Sequence, residues 1–485
     1  MRYREYMKLK ELLSLVKQVL GRASDRKDII AHISDSLALI NSLLERETHP
    51  PLKTIRKIHE LQRFLGELDS GTEYCDDIFN EIELNLEEEI QIRLKVVFLP
   101  YKVSMWDSLE SIYFATLEDD TCDVQVVPIP YYKLSGEGAE PCYEGDLFPP
   151  EIPITHYSAY DIEADRPDII FVHNIYDRYN TLTRVFDQYH THNLKKYTDM
   201  LVYVPYCLFT FVPPQPSSST ETIAYGLPSV ANVDKVVLLG DYLANAAVKF
   251  GIPTHKVLPL GSPKVDKLRR LQETGVCYPK GWNQKIKGKT VFLLDTHLSF
   301  FSIGALLDQV ELLIKLLNIP NFVENSVLIW RPHPLLAAFL KKQSPMLLNY
   351  YNDLVRRIGE NEYSNVIFDD SPDYFPALMA ANVYIGINTS LMVASLLSEK
   401  PIVLLTSRLE DDSLVSPDTF YYVSEESWME RLKDLSKGVD PKALKRKGAL
   451  EGIYSNIDGT SGQKILNAVK EALFMKYESK EGDIL

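Results

Sequence analysis

The strongest constraint on this chain lies in residues 95–405, where short runs rich in Val, Ile and Leu alternate with stretches of helical periodicity. KVVFLP, CDVQVVPI, PDIIFVHN, DMLVYVPY, DKVVLLG and HKVLPLG form a first series; TVFLLD, SVLIWR, NVIFDD, VYIGIN and PIVLLT form a second. Continuous apolar runs suit a parallel sheet covered on both faces, because neither face meets water. The polar stretch GWNQKIKGK separates the series, so the pattern predicts an α/β protein of two doubly wound Rossmann-like domains facing a cleft. Helices are expected over 104–119 and 242–250, and from Ile303, Met346, Tyr374, Thr389 and Glu425, while PPQPSSS at 213–219 reads as an exposed loop.

Residues 1–93 carry no such runs and read as an all-helical N-terminal segment. Leu9, Leu12, Leu13, Val16, Val19 and Leu20 recur at helical spacing, and similar patterns fill 29–44, 52–68 and 78–94. The expected boundaries are 1–93 for these helices, 94–280 and 281–461 for the two α/β domains, and 462–485 for a last helix, over 462–477, with a tail. Arg2, Arg4, Lys8, Lys10, Lys17 and Arg22 flank the first apolar stripe, a pattern compatible with peripheral contact with an anionic membrane. A bundle packed on itself or on another copy is the plainer expectation, and the acidic stretch 81–89 reads as a solvated face.

Composition excludes several classes. At 485 residues and 45% hydrophobic content the chain has material for two or three cores, and a net charge of −15 disfavours nucleic-acid binding. The cysteines Cys75, Cys122, Cys142, Cys207 and Cys277 include no CxxC pair, which argues against a disulfide framework and a zinc site. The apolar run 200–212 falls short of the roughly 20 residues a membrane span needs, and MRYREYMKLK lacks a signal-peptide core. The expected location is the cytoplasm, or the inner face of the cell membrane.

Ligands of open parallel sheets bind beyond the carboxyl ends of the strands. In the second series those ends carry Asp295-Thr296-His297, Arg331-Pro332-His333, Asp369-Asp370-Ser371 and Asn388-Thr389-Ser390. The prolines of LIWRPHPL stiffen the backbone around His333. Asn388 or Thr389 would cap the following helix, whose free N–H groups and dipole favour a phosphate. His173, after the strand PDIIFV, is the candidate general base, since an imidazole titrates nearest neutral pH. His190 and His192 are weaker candidates, and with no third ligand beside them no metal is expected.

Three of these stretches carry a resemblance. LPLGSPKVDKL at 258–268 resembles the GxPRxD segment of the CDP-glycerol glycerophosphotransferase family, the teichoic-acid-type polymerases. WRPHP at 330–334 resembles that family's R-x-HP strand end, and 371–405 resembles its D…LL..AD.LITDYSS…GKPI stretch. The resemblance implies a GT-B fold and transfer of glycerol phosphate, or a related polyol phosphate such as ribitol phosphate, from a CDP-activated donor to a hydroxyl acceptor, releasing CMP. The acceptor would be a cell-envelope polymer or glycolipid, and no cofactor beyond the nucleotide donor is implied. Arg331 and His333 would contact the donor pyrophosphate, Asn388, Thr389 and Ser390 would cap it, and Asp370, Ser371 and Asp373 would lie near the nucleoside. Thr296 and His297 stand where the family has a threonine-tryptophan-arginine turn. The chain departs from the pattern in having Asn388 for the family's aspartate, and Pro205-Tyr206 where the N-terminal HG motif is expected. A nucleotide-sugar glycosyltransferase and a non-catalytic scaffold of the same fold are the alternatives.

Overall fold

The computed structural model describes residues 1–22, 27–47, 49–66, 73–135, 138–209, 225–302, 306–406, 408–410 and 413–482. The loop read at 213–219 and the helix start read at Ile303 lie outside them. Two compact bodies make up the chain: residues 1–96 with 117–124, and residues 97–116 with 125–485.

The first body is built on four helices, α1 (Tyr3–Arg22), α2 (Lys27–Leu44), α3 (Leu52–Gly66) and α4 (Glu73–Glu89). Positions three and four apart point the same way, so Leu9, Leu13, Val16 and Leu20 meet Leu37, Ile40, Ile58, Leu61, Phe79 and Ile82 in one core. The acidic stretch is exposed, as expected, and it also pairs. Glu83 meets Lys17 at 3.8 Å, Glu87 meets Lys10 at 3.4 Å and Glu81 meets Lys57 at 2.5 Å. Glu89 accepts hydrogen bonds from the backbone N–H of Lys53 (3.0 Å) and Thr54 (2.8 Å), satisfying donors that the start of α3 leaves open. No helix among the described residues is long and apolar enough to cross a membrane.

The strands follow in chain order: β1 (Leu94–Phe98), β2 (Cys122–Val126), β3 (Tyr131–Ser135), β4 (Gly138–Cys142), β5 (Ile169–Val172), β6 (Thr183–Val185), β7 (Met200–Tyr203), β8 (Lys235–Val237) and β9 (Val257–Leu258). The second series gives β10 (Thr290–Thr296), β11 (Ser326–Pro332), β12 (Val366–Phe368), β13 (Val383–Gly386), β14 (Ile402–Leu404) and β15 (Tyr421–Tyr422). Two six-stranded sheets result, ordered β2-β1-β5-β7-β8-β9 and β12-β11-β10-β13-β14-β15. Every pairing in the second sheet is parallel. The order reverses between β1 and β5 in one sheet and between β10 and β13 in the other, which opens a crevice at each switch point. A third sheet, β4-β3-β6, is antiparallel and has no apolar run to announce it: β4 reads Gly-Ala-Glu-Pro-Cys and lies largely exposed.

The last helix, Ser461–Gly482, does not form a separate tail. It returns to the first α/β domain, where Asp266 accepts from Ser461 N (3.1 Å), Gly462 N (2.7 Å) and Ser111 Oγ (2.7 Å). Further along, Lys476 reaches the Asp199 carbonyl at 2.5 Å. Asp266 thereby neutralises the open N–H groups of a helix almost two hundred residues further on. Asp266→Ala is expected to lower stability by about 1–3 kcal/mol and to speed amide exchange at 461–466. Urea unfolding with site-resolved hydrogen exchange measures both, and unchanged exchange in that turn would remove the capping role.

Candidate functional site

At the carboxyl edge of the second sheet, β10, β11 and β13 bring Asp295, Thr296, His297, Arg331, His333, Asn388, Thr389 and Ser390 together. Asp295 is buried beneath this edge and accepts from Tyr384 OH (2.8 Å) and Thr389 Oγ1 (2.7 Å). Burial pushes its carboxyl above the usual range, and the two hydroxyls oppose that. Thr389 is the N-cap of the helix Ser390–Leu397, its Oγ1 also accepting from Met392 N at 3.3 Å. Ser390 Oγ donates to the Leu208 carbonyl (2.9 Å), tying this helix to the first domain. The hydroxyls of Thr389 and Ser390 are therefore engaged within the protein. What faces an anion here is the first helical turn of backbone N–H groups, together with Asn388, whose Oδ1 is buried without a partner among the described residues. A side-chain amide in that position can turn its NH₂ towards a ligand.

His297 and His333 stand edge to face, ring centroids 4.9 Å apart. His333 N donates to the Thr296 carbonyl (3.0 Å) and its Nδ1 accepts from Leu335 N (3.1 Å), which leaves the ring proton on Nε2. Burial, with the charges of His297 and Lys102 adding to it, drives His333 down to about 4. Burial lowers His297 too, and Asp295 opposes it. Both rings are neutral donors at pH 7.

Arg331 serves the fold. Its guanidinium donates to Asp369 Oδ2 (2.5 Å) and the Ser371 carbonyl (2.8 Å), both in the loop after β12. Within that loop Ser371 Oγ donates to Asp369 Oδ1 (2.6 Å), and Asp373 Oδ1 accepts from Phe375 N (2.9 Å). Asp370 is exposed. Thr296 is buried and accepts from Trp330 Nε1 at 3.0 Å.

His173 corrects the sequence reading. Its side chain points into the first domain, fully buried, with Nε2 accepting from Tyr101 N (3.2 Å) and Nδ1 donating to the Met105 carbonyl (3.2 Å). With both nitrogens bound to backbone and no surface exposed, it is not placed to take a proton from a ligand. It pins the loop after β1, and burial drives its imidazole down to about 4. His190 and His192 lie 5.9 Å apart, and no metal-binding group is present among the described residues.

A residue of the GSPKVD stretch joins the two domains. Gly261 has φ 86°, where a Cβ would run into the Ser455 carbonyl, and Ser262 caps the helix Pro263–Thr274. This start aims Lys264 at Asp107 Oδ2 (2.5 Å), both side chains buried, and Tyr374 of the second domain donates to the same oxygen (3.1 Å). Asp107 and Tyr384 lie outside the residues that the sequence singled out.

The low value of His173 fixes a pH dependence. The unfolded imidazole takes a proton near pH 6.5 and the folded one only near 4, so the unfolded state binds more protons between them. Stability should fall as pH drops from 6.5 towards 4, by up to about 3 kcal/mol from this residue. His173→Gln, compared with wild type by urea unfolding at several pH values, should flatten that slope; parallel slopes would exclude the residue as its source.

Two doubly wound α/β domains facing a cleft lined by both sets of strand ends make this a GT-B-like protein. Among solved structures it is similar to a UDP-N-acetylglucosamine 2-epimerase, at 13% identity over 80% of this chain and 97% of that one, with a TM-score of 0.51. The wall teichoic acid polymerase TagF matches at 13% identity over 88% of this chain and 99% of its own, TM-score 0.49. S. aureus MnaA with UDP matches at 13% over 78% and 97%, also at 0.49. The first of these likenesses, to the 2-epimerase, speaks to the fold alone. No protein-family model and no curated protein matches the chain.

Proposed function

We propose that the chain is a GT-B transferase that moves glycerol phosphate, or a related polyol phosphate such as ribitol phosphate, from a CDP-activated donor to a hydroxyl of a cell-envelope polymer or glycolipid. What supports this reading is that the three stretches carrying the sequence resemblance meet contact by contact at the cleft. Lys264 lies over the Tyr374 ring (5.2 Å to its centroid), and Arg331 touches the carbonyl of the adjacent Asp373 (3.4 Å) on the strand whose end carries His333. In the reaction the acceptor oxygen bonds to the phosphorus bearing the polyol as the bond from that phosphorus to the CMP oxygen breaks. Such transfers ask chiefly for positioning and charge stabilisation. Backbone N–H groups at the helix start, the Asn388 amide and the Nε2–H of His333 supply neutral donors, and a bound phosphate favours protonation of that imidazole. Arg331 acts by holding the 369–373 loop, and the acceptor's proton goes to a group other than His173.

CDP-glycerol or CDP-ribitol should raise the melting temperature more than UDP or UDP-sugars, since a ligand that binds only the native state stabilises it. His333→Ala, with its fold intact, should weaken binding of the CDP-alcohol roughly tenfold to a hundredfold in calorimetric titration. A clear preference for UDP-sugars would replace this reading with a nucleotide-sugar glycosyltransferase.

Peripheral membrane contact through the helical body extends the proposal, because α1 exposes Leu12, Leu15 and Val19 beside its cations. The full chain should then sediment with anionic liposomes at low salt and be released at high salt. Failure to sediment at low salt removes the membrane from the proposal and leaves the transfer untouched.

A further inference from the structure

The chain passes between the two α/β domains twice, after the helix Pro263–Thr274 and again before Ile457. Such passages are where one domain can hinge on another, because few residues absorb the whole rotation. Arg269 stands between the two. Its Nε donates to the Ile457 carbonyl (2.7 Å) on the returning chain, and its Nη1 donates to the Leu397 carbonyl (3.0 Å) of the second domain and to Gln272 Oε1 (2.9 Å). Gln272 Nε2 donates in turn to Ser398 Oγ (3.2 Å). Gly459, at φ 93°, lets the returning chain lie against this arginine, since a Cβ there would stand 3.2 Å from that of Arg269.

Leu397 and Ser398 close the helix whose first turn stands at the candidate site. Its other end is tied through Ser390 Oγ to the Leu208 carbonyl (2.9 Å). Both ends of a second-domain helix about 12 Å long therefore rest on the first domain. The helix Pro263–Thr274 likewise meets the second domain twice, through Lys264 at the Tyr374 ring and, about two turns on, through Arg269 and Gln272. A single contact permits a pivot, and each further contact removes a direction of swing. The planar guanidinium holds its acceptors at fixed angles, which an ammonium cannot do, and its charge suits the carbonyl end of a helix.

We propose that Arg269 is a positioning residue that pins the junction of the two α/β domains, so that the cleft and the helix start at Ser390 are set before a ligand arrives and the domains do not swing to close around it. The pin does not depend on which donor the cleft takes. A ligand entering a cleft already in shape is spared the cost of ordering it.

Fluorophores placed at Lys249 and Lys342, exposed residues of the first and second domains, report their separation by single-molecule energy transfer in the ligand-free protein. A second pair at Lys196 and Lys249, both exposed on the first domain, gives the width of a rigid distance. Wild type should show one interdomain population no broader than that rigid pair. Several populations, or a broader one, overturn the proposal with no variant needed. Arg269→Met should broaden or split the distribution and speed amide exchange at 390–398 about tenfold, and Arg269→Lys should recover part of both. A distribution in folded Arg269→Met as narrow as that of wild type overturns the pin. Inorganic pyrophosphate or CDP-glycerol should leave the wild-type separation unchanged, and closure with either one overturns the proposal.

Discussion

A buried ion pair lies where the two α/β domains meet. Lys264 and Asp107 sit almost without solvent exposure, and Tyr374 closes on the same carboxylate from the other domain. Two charges taken out of water gain little net stability over an apolar contact, yet losing one partner strands the other at a cost of about 3–5 kcal/mol. A pair of this kind fixes register more than it adds stability. The shape of the helix start at Gly261, Ser262 and Pro263 serves to deliver Lys264 to this point.

Around that junction the polar groups divide into those that build the cleft and those left facing it. Asp295, Thr296, Arg331, Thr389, Ser390 and His173 are each committed to an internal partner, as hydrogen-bonding groups withdrawn from water must be. The groups left over are the His297 and His333 rings, the Asn388 amide and the helix start. Burial holds both imidazoles neutral, so the free site is poor in positive charge and rich in directed donors. Such a surface discriminates by geometry before it discriminates by charge.

The sheets were legible because strands covered on both faces must be continuously apolar, and VVFL, DIIFV or VLIW leave no other reading. The antiparallel sheet of β3, β4 and β6 was not, because half-exposed strands containing Pro141 and Glu140 share their composition with loops. The cluster of strand ends was legible as a cluster, while the roles within it were not. Arg331 meets Asp369 because Trp330 stands opposite Phe368 in the ladder, a register that exists only once β11 and β12 are known to be neighbours. His173 could turn towards the cleft or back into its domain. The choice was made by Tyr101 and Met105, about seventy residues earlier in the chain.

The returning helix has a topological consequence. The chain leaves the first domain after Thr274 and re-enters it near Tyr454, where Ser455 N bonds to the Leu239 carbonyl (2.7 Å) and Asn456 Nδ2 to that of Leu260 (2.9 Å). Both crossings anchor on the same domain, so the second domain is an insertion within the first, with its two ends held on one scaffold. Tension applied through the outer ends of this α/β pair is carried by the first domain, and the inserted one is left slack.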